Sequence, residues 1–227
     1  MGCNSSTAGS AGAPTKAGKI PGKVVFQYFQ GGGRADPIEQ MCAHAGQPYE
    51  KVTIAEPGKQ GTSEFGTGLP QVKAGGKDMA QFGAIMHSLG IKLGFYDPKD
   101  WKAARYCDPI VDTWGDVANA SAGFLFAPDD KKPEMLEKLV TICCKFNGLI
   151  EKGMNHHGGK FAAGNKMTIA DFVLASYAGN YVMNDNCPAS AGIKAKLADT
   201  PKLKAYIDAR EATFPHLARR GPWPAPF

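Results

Sequence analysis

The chain has no long apolar segment and no CxxC motif, and each absence excludes a class of protein. None of its apolar runs approaches the roughly 20 residues that a helix needs to span a bilayer. Its six cysteines include no CxxC pair and show no metal-ligand spacing with the five histidines, so we expect no bound metal. No secretory signal precedes them, which predicts a reducing, cytoplasmic setting.

The net positive charge on the body of the protein is also small. The formal net charge is +5, but Lys16, Lys19 and Lys23 lie in an N-terminal stretch without acidic residues. Without these three lysines only about +2 remains. A nucleic-acid-binding domain is usually far more basic, so we expect no nucleic-acid partner. The 43% of apolar and 21% of charged residues are typical of a globular domain.

Residues 1–22 have the composition of a flexible tail, rich in alanine, glycine and serine. They begin Met1-Gly2-Cys3-Asn4-Ser5-Ser6, which fits the myristoylation pattern with Gly2 as the acceptor. One myristoyl chain binds a membrane only weakly, so Cys3 is a candidate for a second acyl chain. We predict a lipidated tail that holds the protein at a membrane surface. The alternative is a leader that begins with Met-Gly by chance.

The segment after this tail predicts a β-α-β unit followed by a β-β-α unit. Lys23 to Phe29 and Tyr49 to Ile54 are rich in β-branched and aromatic residues, as strands are. A helix between them has Pro37 in its first turn. Gly75-Gly76 suits the two-residue turn of a hairpin, and a last helix begins at about Gln81. This is the order of a thioredoxin-like domain.

Beyond Asp97 the apolar residues recur only with helical spacing. We therefore predict a boundary there, between a domain of residues 23–97 and an all-helical domain of residues 98–227 with a Pro-rich end. Thr168-Ile169-Ala170-Asp171 is a capping-box pattern. Thr200-Pro201 predicts another helix start, with a hydroxyl cap and proline at the first helical position.

Four short motifs resemble those of the cytosolic glutathione transferases. They are Tyr28-Phe29 with Gly33-Arg34-Ala35-Asp36-Pro37, Leu69-Pro70-Gln71-Val72, Met79-Ala80-Gln81-Phe82-Gly83-Ala84-Ile85, and Met167-Thr168-Ile169-Ala170-Asp171-Phe172. The resemblance runs from about Lys23 to the C-terminus and is nearest to the sigma, mu and pi types, which use a tyrosine. It implies an α/β thioredoxin-like domain followed by a helical bundle, and a homodimer without metal. The implied activity is detoxification, in which glutathione is joined to a small electrophile or assists its isomerisation.

The resemblance also implies the site residues. In this family a tyrosine at the end of the first strand activates the glutathione thiol, a role that falls here to Tyr28. A hydrogen bond donated to a thiolate lowers the thiol pKa from about 8.5. Arg34 would orient Tyr28 and hold the charged cofactor, and an acid would reach across the dimer to the glutathione amino group. The remaining implied contacts are Leu69, Pro70 as a cis-proline, Gln81, Phe82 and that acid, Asp108.

The match fails at the carboxylate end of the implied glutathione site. The family usually has serine where this chain has Phe82, and the lost hydrogen bond to a charged group costs about 1.5 to 3 kcal/mol, to which the bulk of the ring adds. A usual contact is also missing near Pro57. Two alternatives to a working enzyme therefore stay open. One is a weak or inactive scaffold of the same fold, and the less favoured one is a redox protein that acts through Cys42.

Overall fold

The structure is a computed structural model that describes residues 18–29, 33–54 and 68–209. The predicted acylation sites Gly2 and Cys3, the segment around Pro57 and the Pro-rich C-terminus lie outside the described residues. Within those ranges, no helix is both long enough and apolar enough to cross a membrane.

The N-terminal part is a four-stranded mixed sheet with two helices. Its elements are β1 (Val24–Phe29), α1 (Asp36–His44), β2 (Tyr49–Ile54), β3 (Gln71–Ala74), β4 (Lys77–Ala80) and α2 (Phe82–Leu93). The strand order is β2-β1-β3-β4, with β1 parallel to β2 and antiparallel to β3, and with β3 antiparallel to β4. The predicted order of strands and helices, and the thioredoxin-like arrangement, are confirmed.

The alternation of side chains along β1 decides which residues face the core. Val24, Phe26 and Tyr28 are all buried, because successive residues of a strand face opposite sides of the sheet. Tyr28 is the last of the three, next to the turn that leads into α1. The predicted hairpin is also present, and Gly75 and Gly76 both have positive φ, 57° and 76°.

In the C-terminal part, the elements described among residues 98–209 are all helical. Its elements are α3 (Trp101–Leu125), a 3-10 turn (Asp129–Lys131), α4 (Lys132–His157), α5 (Ile169–Tyr177), a π-helical turn (Ala178–Val182), α6 (Ser190–Leu197) and α7 (Pro201–Asp208). The predicted fold, a thioredoxin-like domain followed by a helical bundle, is therefore confirmed.

The capping box at the start of α5 is confirmed. The fully buried Asp171 accepts hydrogen bonds from the backbone N–H groups of Thr168 (2.8 Å) and Ala162 (3.0 Å). The hydroxyl cap predicted at Thr200 is wrong, because that hydroxyl donates to the carbonyl of Leu197 instead. Glu151 of α4 caps α7 in its place.

The sheet and the helices share one hydrophobic core. Phe26 from β1 belongs to the same cluster as Trp114 and Phe146. Where α1 packs on α5, the amide of Gln40 donates to the hydroxyl of Ser176 at 3.0 Å. Helix α1 therefore contacts both β2 of the sheet and α5 of the helical part.

Candidate functional site

The hydroxyl of Tyr28 lies beside the turn between β1 and α1. The residue is only 8% exposed, and the backbone N–H of Arg34 donates to its hydroxyl oxygen at 3.2 Å. A Cβ atom on Gly33 would stand 2.9 Å from the same oxygen. Burial raises the pKa of Tyr28 above its usual 10.0, although the hydrogen bond from Arg34 opposes this. The hydroxyl therefore keeps its proton at neutral pH and can donate it to an anion.

The side chain of Arg34 is engaged with the helical part. Its Nη2 donates to Oδ1 of Asn119 at 2.6 Å and to the carbonyl of Gly115 at 3.4 Å, both on α3. It is thus the backbone of Arg34 that orients Tyr28, while the guanidinium ties the turn to α3. The sequence indicated the importance of this arginine but not these partners, which lie more than 80 residues away along the chain.

The peptide bond between Leu69 and Pro70 is cis. Leu69 is half-buried, and its backbone N–H and C=O have no hydrogen-bond partner among the described residues. The next residue after Pro70 starts β3, which pairs with β1. An extended peptide lying alongside Leu69 would find a donor and an acceptor there, as in strand addition to a sheet edge.

The beginning of α2 is open. Gln81 precedes it with a positive φ of 69° and offers no side-chain cap, and the first bond into the helix runs from Ile85 N–H to Gln81 C=O. The three N–H groups before it therefore lack an acceptor within the helix. No acidic residue occupies the first turn. Such a helix end favours an anion.

The two side chains predicted at this helix end are oriented differently. Gln81 is exposed, and its Nε2 lies 3.9 Å from the position of a Cβ on Gly68. Phe82 is 8% exposed and belongs to the hydrophobic core. Its ring therefore does not occupy the open end of α2, and only its backbone N–H faces that end.

Asp108 is bound within its own chain. Its carboxylate lies 3.0 Å from Nε2 of His87 and accepts a hydrogen bond from the Tyr96 hydroxyl at 3.0 Å. The acid that approaches the start of α2 is Asp112, whose Oδ1 is 3.5 Å from the position of a Cβ on Gly83. Sequence analysis missed Asp112, although a spacing of four residues places it on the same face of α3 as Asp108.

Cys42, the candidate for a redox function, is fully buried in α1. Burial raises its pKa to about 12, so almost none of it is thiolate at neutral pH, and the thiolate is the reactive form. The structure therefore offers no support for redox chemistry at Cys42. Within the described ranges, no cluster of three His, Cys, Asp or Glu side chains is placed to hold a metal ion.

Comparisons with known proteins agree with this fold. Residues 115–210 match the family model of the glutathione S-transferase C-terminal domain. Glutathione S-transferase alpha-5 from Rattus norvegicus is 25% identical over 200 residues, which is 83% of this chain and 90% of the relative. The expected sigma, mu or pi type is not confirmed, because this relative is of the alpha type.

The similar solved structures include two glutathione S-transferases. Monomeric Na-GST-3, a glutathione S-transferase from the hookworm Necator americanus, is 26% identical, with a TM-score of 0.56 over 83% of this chain and 97% of that chain. The glutathione S-transferase from Ascaris lumbricoides is 23% identical, with a TM-score of 0.66 over 91% of this chain and 100% of that chain. This chain has the glutathione transferase fold, and its sequence is similar to those of glutathione S-transferases.

Proposed function

We propose that this chain binds glutathione beside Tyr28 and activates its thiol for conjugation to a small electrophile, or for isomerisation of one. The observation that carries the proposal is the Tyr28 hydroxyl. It is oriented by the N–H of Arg34, and its raised pKa keeps it a hydrogen-bond donor. Such a donor stabilises a thiolate without giving up its own proton.

The size of the effect follows from ordinary energetics. A free thiol with a pKa of about 8.5 is only a few per cent thiolate at pH 7. A hydrogen bond to the charged sulfur contributes about 1.5 to 3 kcal/mol, which lowers the thiol pKa by roughly one to two units. The thiolate then attacks the electrophilic carbon, a C–S bond forms, and the leaving group departs with its electron pair.

The rest of glutathione fits the groups around Tyr28. The peptide part would pair with the free backbone groups of Leu69. The γ-glutamyl carboxylate would meet the open N–H groups at the start of α2. The neighbouring ammonium group would face Asp112. One protomer would then bind both the carboxylate and the ammonium group of the γ-glutamyl residue. The supporting observation is that Asp108 is already bound by His87 and Tyr96.

A second candidate function is that of a scaffold with little or no activity. Two observations favour it. The guanidinium of Arg34 is bound to α3 rather than free for a ligand, and Phe82 stands where the glutathione transferases usually have a serine hydroxyl. Binding of the carboxylate would then depend on backbone N–H groups alone.

Calorimetric titration of glutathione, together with the thiol pKa measured by ultraviolet absorbance of the bound thiolate, tests the proposal. We expect wild-type affinity in the micromolar to low millimolar range. Tyr28→Phe should change affinity little but raise the bound thiol pKa by one to two units, whereas Tyr49→Phe on β2 should change neither. Absence of binding heat in the wild type would reject the enzyme in favour of the scaffold.

The homodimer and the acylated tail are separate proposals. Sedimentation of the purified chain tests the homodimer, and glutathione binding by a monomer would agree with a site built from Asp112 of the same protomer.

Mass spectrometry of the chain expressed with an N-myristoyltransferase, beside Gly2→Ala, tests the acylated tail. An unmodified N-terminus in both samples would contradict it.

A further inference from the structure

The segment that leads into β1 is held against the body of the protein by a buried glutamine. Gln47 is only 2% exposed. Its side-chain amide accepts a hydrogen bond from the N–H of Ile20 at 2.9 Å and donates one to the carbonyl of Gly22 at 2.9 Å. The N–H of Gly18 donates to the carbonyl of Lys92 at 3.0 Å, near the end of α2. The sequence that precedes Gly18 therefore joins the body at a defined point.

Three segments of the chain meet at this point, and each carries an exposed lysine. The tip of the β3–β4 hairpin adjoins the entry to β1, because a Cβ on Gly75 would lie 3.8 Å from Cγ2 of Ile20. The end of α2 adjoins it through the carbonyl of Lys92. The exposed lysines are Lys19 before β1, Lys77 in the hairpin and Lys92 on α2. We call these three residues the lysine face.

The charges of the lysine face are not neutralised within the protein. None of its three lysines has an ion-pair partner in the described part of the chain. Two ion pairs lie beside it, Lys23 with Glu50 at 3.6 Å and Lys73 with Asp78 at 3.9 Å, so each of these carboxylates already has its own lysine. Positive charge therefore predominates at this end of the sheet.

Apolar side chains are exposed beside the lysine face. Ile91 is 39% exposed and directly precedes Lys92. Pro21 is exposed, with its Cδ 3.9 Å from the position of a Cβ on Gly75. A surface that combines lysines with isolated apolar side chains suits a lipid bilayer, because the lysines attract anionic headgroups while the apolar groups enter the interface.

The lysine face lies at the opposite end of β1 from the Tyr28 hydroxyl. The strand starts at Val24, beside this face, and Tyr28 follows four residues later. At the rise of a strand this separation is roughly 13 Å. A bilayer that contacts the lysine face would therefore leave the turn after β1 and the Tyr28 site uncovered.

The predicted acylation site is close to this face along the chain. Gly2 precedes Gly18 by 16 residues, and a flexible tether of this length spans roughly 20 to 25 Å. One myristoyl chain attaches a protein only marginally, and stable attachment requires a second signal such as a basic patch. An acyl chain on Gly2 would therefore bring the lysine face within reach of the same bilayer.

We propose that the lysine face docks the protein on an anionic lipid bilayer, where it supplies the second signal that a single acyl chain requires. The occupant of this surface is a bilayer that contains phosphatidylserine or a lipid of the same charge. This inference goes beyond the function proposed for the Tyr28 site and does not depend on it.

Cosedimentation of the full chain with lipid vesicles tests the proposal. The vesicles contain phosphatidylcholine with or without phosphatidylserine, and the chain is used both unmodified and N-myristoylated. We expect phosphatidylserine to tighten the binding of both forms at least tenfold and added salt to reverse this gain. Lys77→Gln combined with Lys92→Gln should weaken binding to the anionic vesicles about 30-fold.

Lys138→Gln combined with Lys145→Gln is the matched control. It removes the same charge from exposed positions on α4, a helix that packs on α3, α6 and α7, and it should change vesicle binding less than twofold. Both double variants alter exposed side chains only, and equal thermal midpoints verify that they are folded.

The outcomes separate this surface from the acylated tail and from the Tyr28 site. Equal loss in the two double variants, or equal binding with and without phosphatidylserine, would overturn the proposal. Release from the vesicles by an equimolar acidic peptide would indicate a protein partner and overturn it too. If Gly2 stays unmodified, the unmodified chain still gives the comparison of vesicles and variants. Glutathione affinity should be the same in both double variants as in the wild type.

Discussion

The side-chain amide of Asn180 donates a hydrogen bond to the carboxylate of Asp36, which joins the π-helical turn after α5 to the beginning of α1. The backbone N–H of Asp36 also donates to the carbonyl of Gly33 at 3.2 Å. Asp36 thus supports the turn that orients Tyr28. Burial raises the pKa of Asp36 to about 6, against the opposing effect of the Asn180 hydrogen bond.

Asp36 should make the protein less stable as the pH rises. Its pKa is near 3.8 in the unfolded chain and about 6 in the folded one, so between these values the folded state binds the additional proton. The contribution of Asp36 to the free energy of unfolding therefore falls as the pH rises between these two pKa values, by at most about 3 kcal/mol in total. At higher pH it stays at this lower value. We expect Asp36→Asn to gain stability relative to the wild type from pH 4 to pH 7, measured by urea unfolding.

Asp129→Asn is the control for this pH dependence. Asp129 is exposed, and the hydrogen bond and charge of Lys132 lower its pKa. A group of this kind contributes stability above its unfolded pKa and loses it as the pH falls. Its variant should therefore differ from the wild type in the opposite direction. A difference between Asp36→Asn and the wild type that stays constant with pH would contradict the prediction.

Gly33→Ala should impair thiol activation more than stability alone explains. The new Cβ would stand 2.9 Å from the Tyr28 hydroxyl, at a residue whose φ is +130°. Backbone strain of this kind costs about 1 to 3 kcal/mol, and the contact would displace the hydroxyl. We expect the thiol pKa of bound glutathione to rise, as in Tyr28→Phe, and thiolate absorbance measures this rise.

Gly76→Ala provides the matched control, because it introduces the strain without the contact. Gly76 has a φ of +76°, and a Cβ there would meet nothing within 4 Å. This variant should lose stability, measured by urea unfolding, and yet leave the bound thiol pKa unchanged. A pKa rise of the same size in both variants would show that the effect does not act through Tyr28.

Local signals in the sequence predicted the fold well. The Gly75-Gly76 turn and the Thr168–Asp171 box involve only neighbouring residues, so the sequence alone contains the whole interaction. The β-branched and aromatic residues from Lys23 to Phe29 predicted a strand for the same reason. The order of elements followed from these pieces, and with it the fold class.

Contacts between distant residues were not predictable in this way. Nothing near Arg34 in the sequence indicates that its guanidinium binds Asn119, 85 residues away. The orientation of Phe82 depends on the space between α2 and the rest of the core. The family resemblance indicated positions such as Arg34 and Asp108, but the groups that each one contacts are determined by tertiary packing.

The start of α7 should depend on Glu151 rather than on Thr200. The largely buried carboxylate of Glu151 accepts hydrogen bonds from the N–H groups of Leu203 (2.9 Å) and Lys202 (3.4 Å). Glu151→Ala leaves both donors unpaired, and we expect a loss of about 2 to 3 kcal/mol in the free energy of unfolding. Thr200→Ala removes only the bond to Leu197 and should cost about 1 kcal/mol. Equal losses of stability in the two variants, measured by urea unfolding, would instead favour the earlier prediction that the Thr200 hydroxyl caps α7.

Phe82→Ser, the change that restores the residue usual in related enzymes, should destabilise the protein. Phe82 is 8% exposed and lies in the core, and replacing a buried phenylalanine with a small residue costs roughly 3 to 5 kcal/mol. Urea unfolding measures this loss. Phe82→Leu keeps an apolar side chain of similar size and should lose less than about 1.5 kcal/mol.

The same two variants show whether the Phe82 ring obstructs glutathione. Because the ring packs into the core, Phe82→Leu should bind glutathione within about twofold of the wild type. A serine at position 82 is not held by the core and can turn its hydroxyl toward the open end of α2. Phe82→Ser, where it remains folded, should therefore bind at least tenfold more tightly, since a hydrogen bond to a carboxylate contributes about 1.5 to 3 kcal/mol. If Phe82→Leu also tightened binding tenfold, the ring would have to lie in the site rather than in the core.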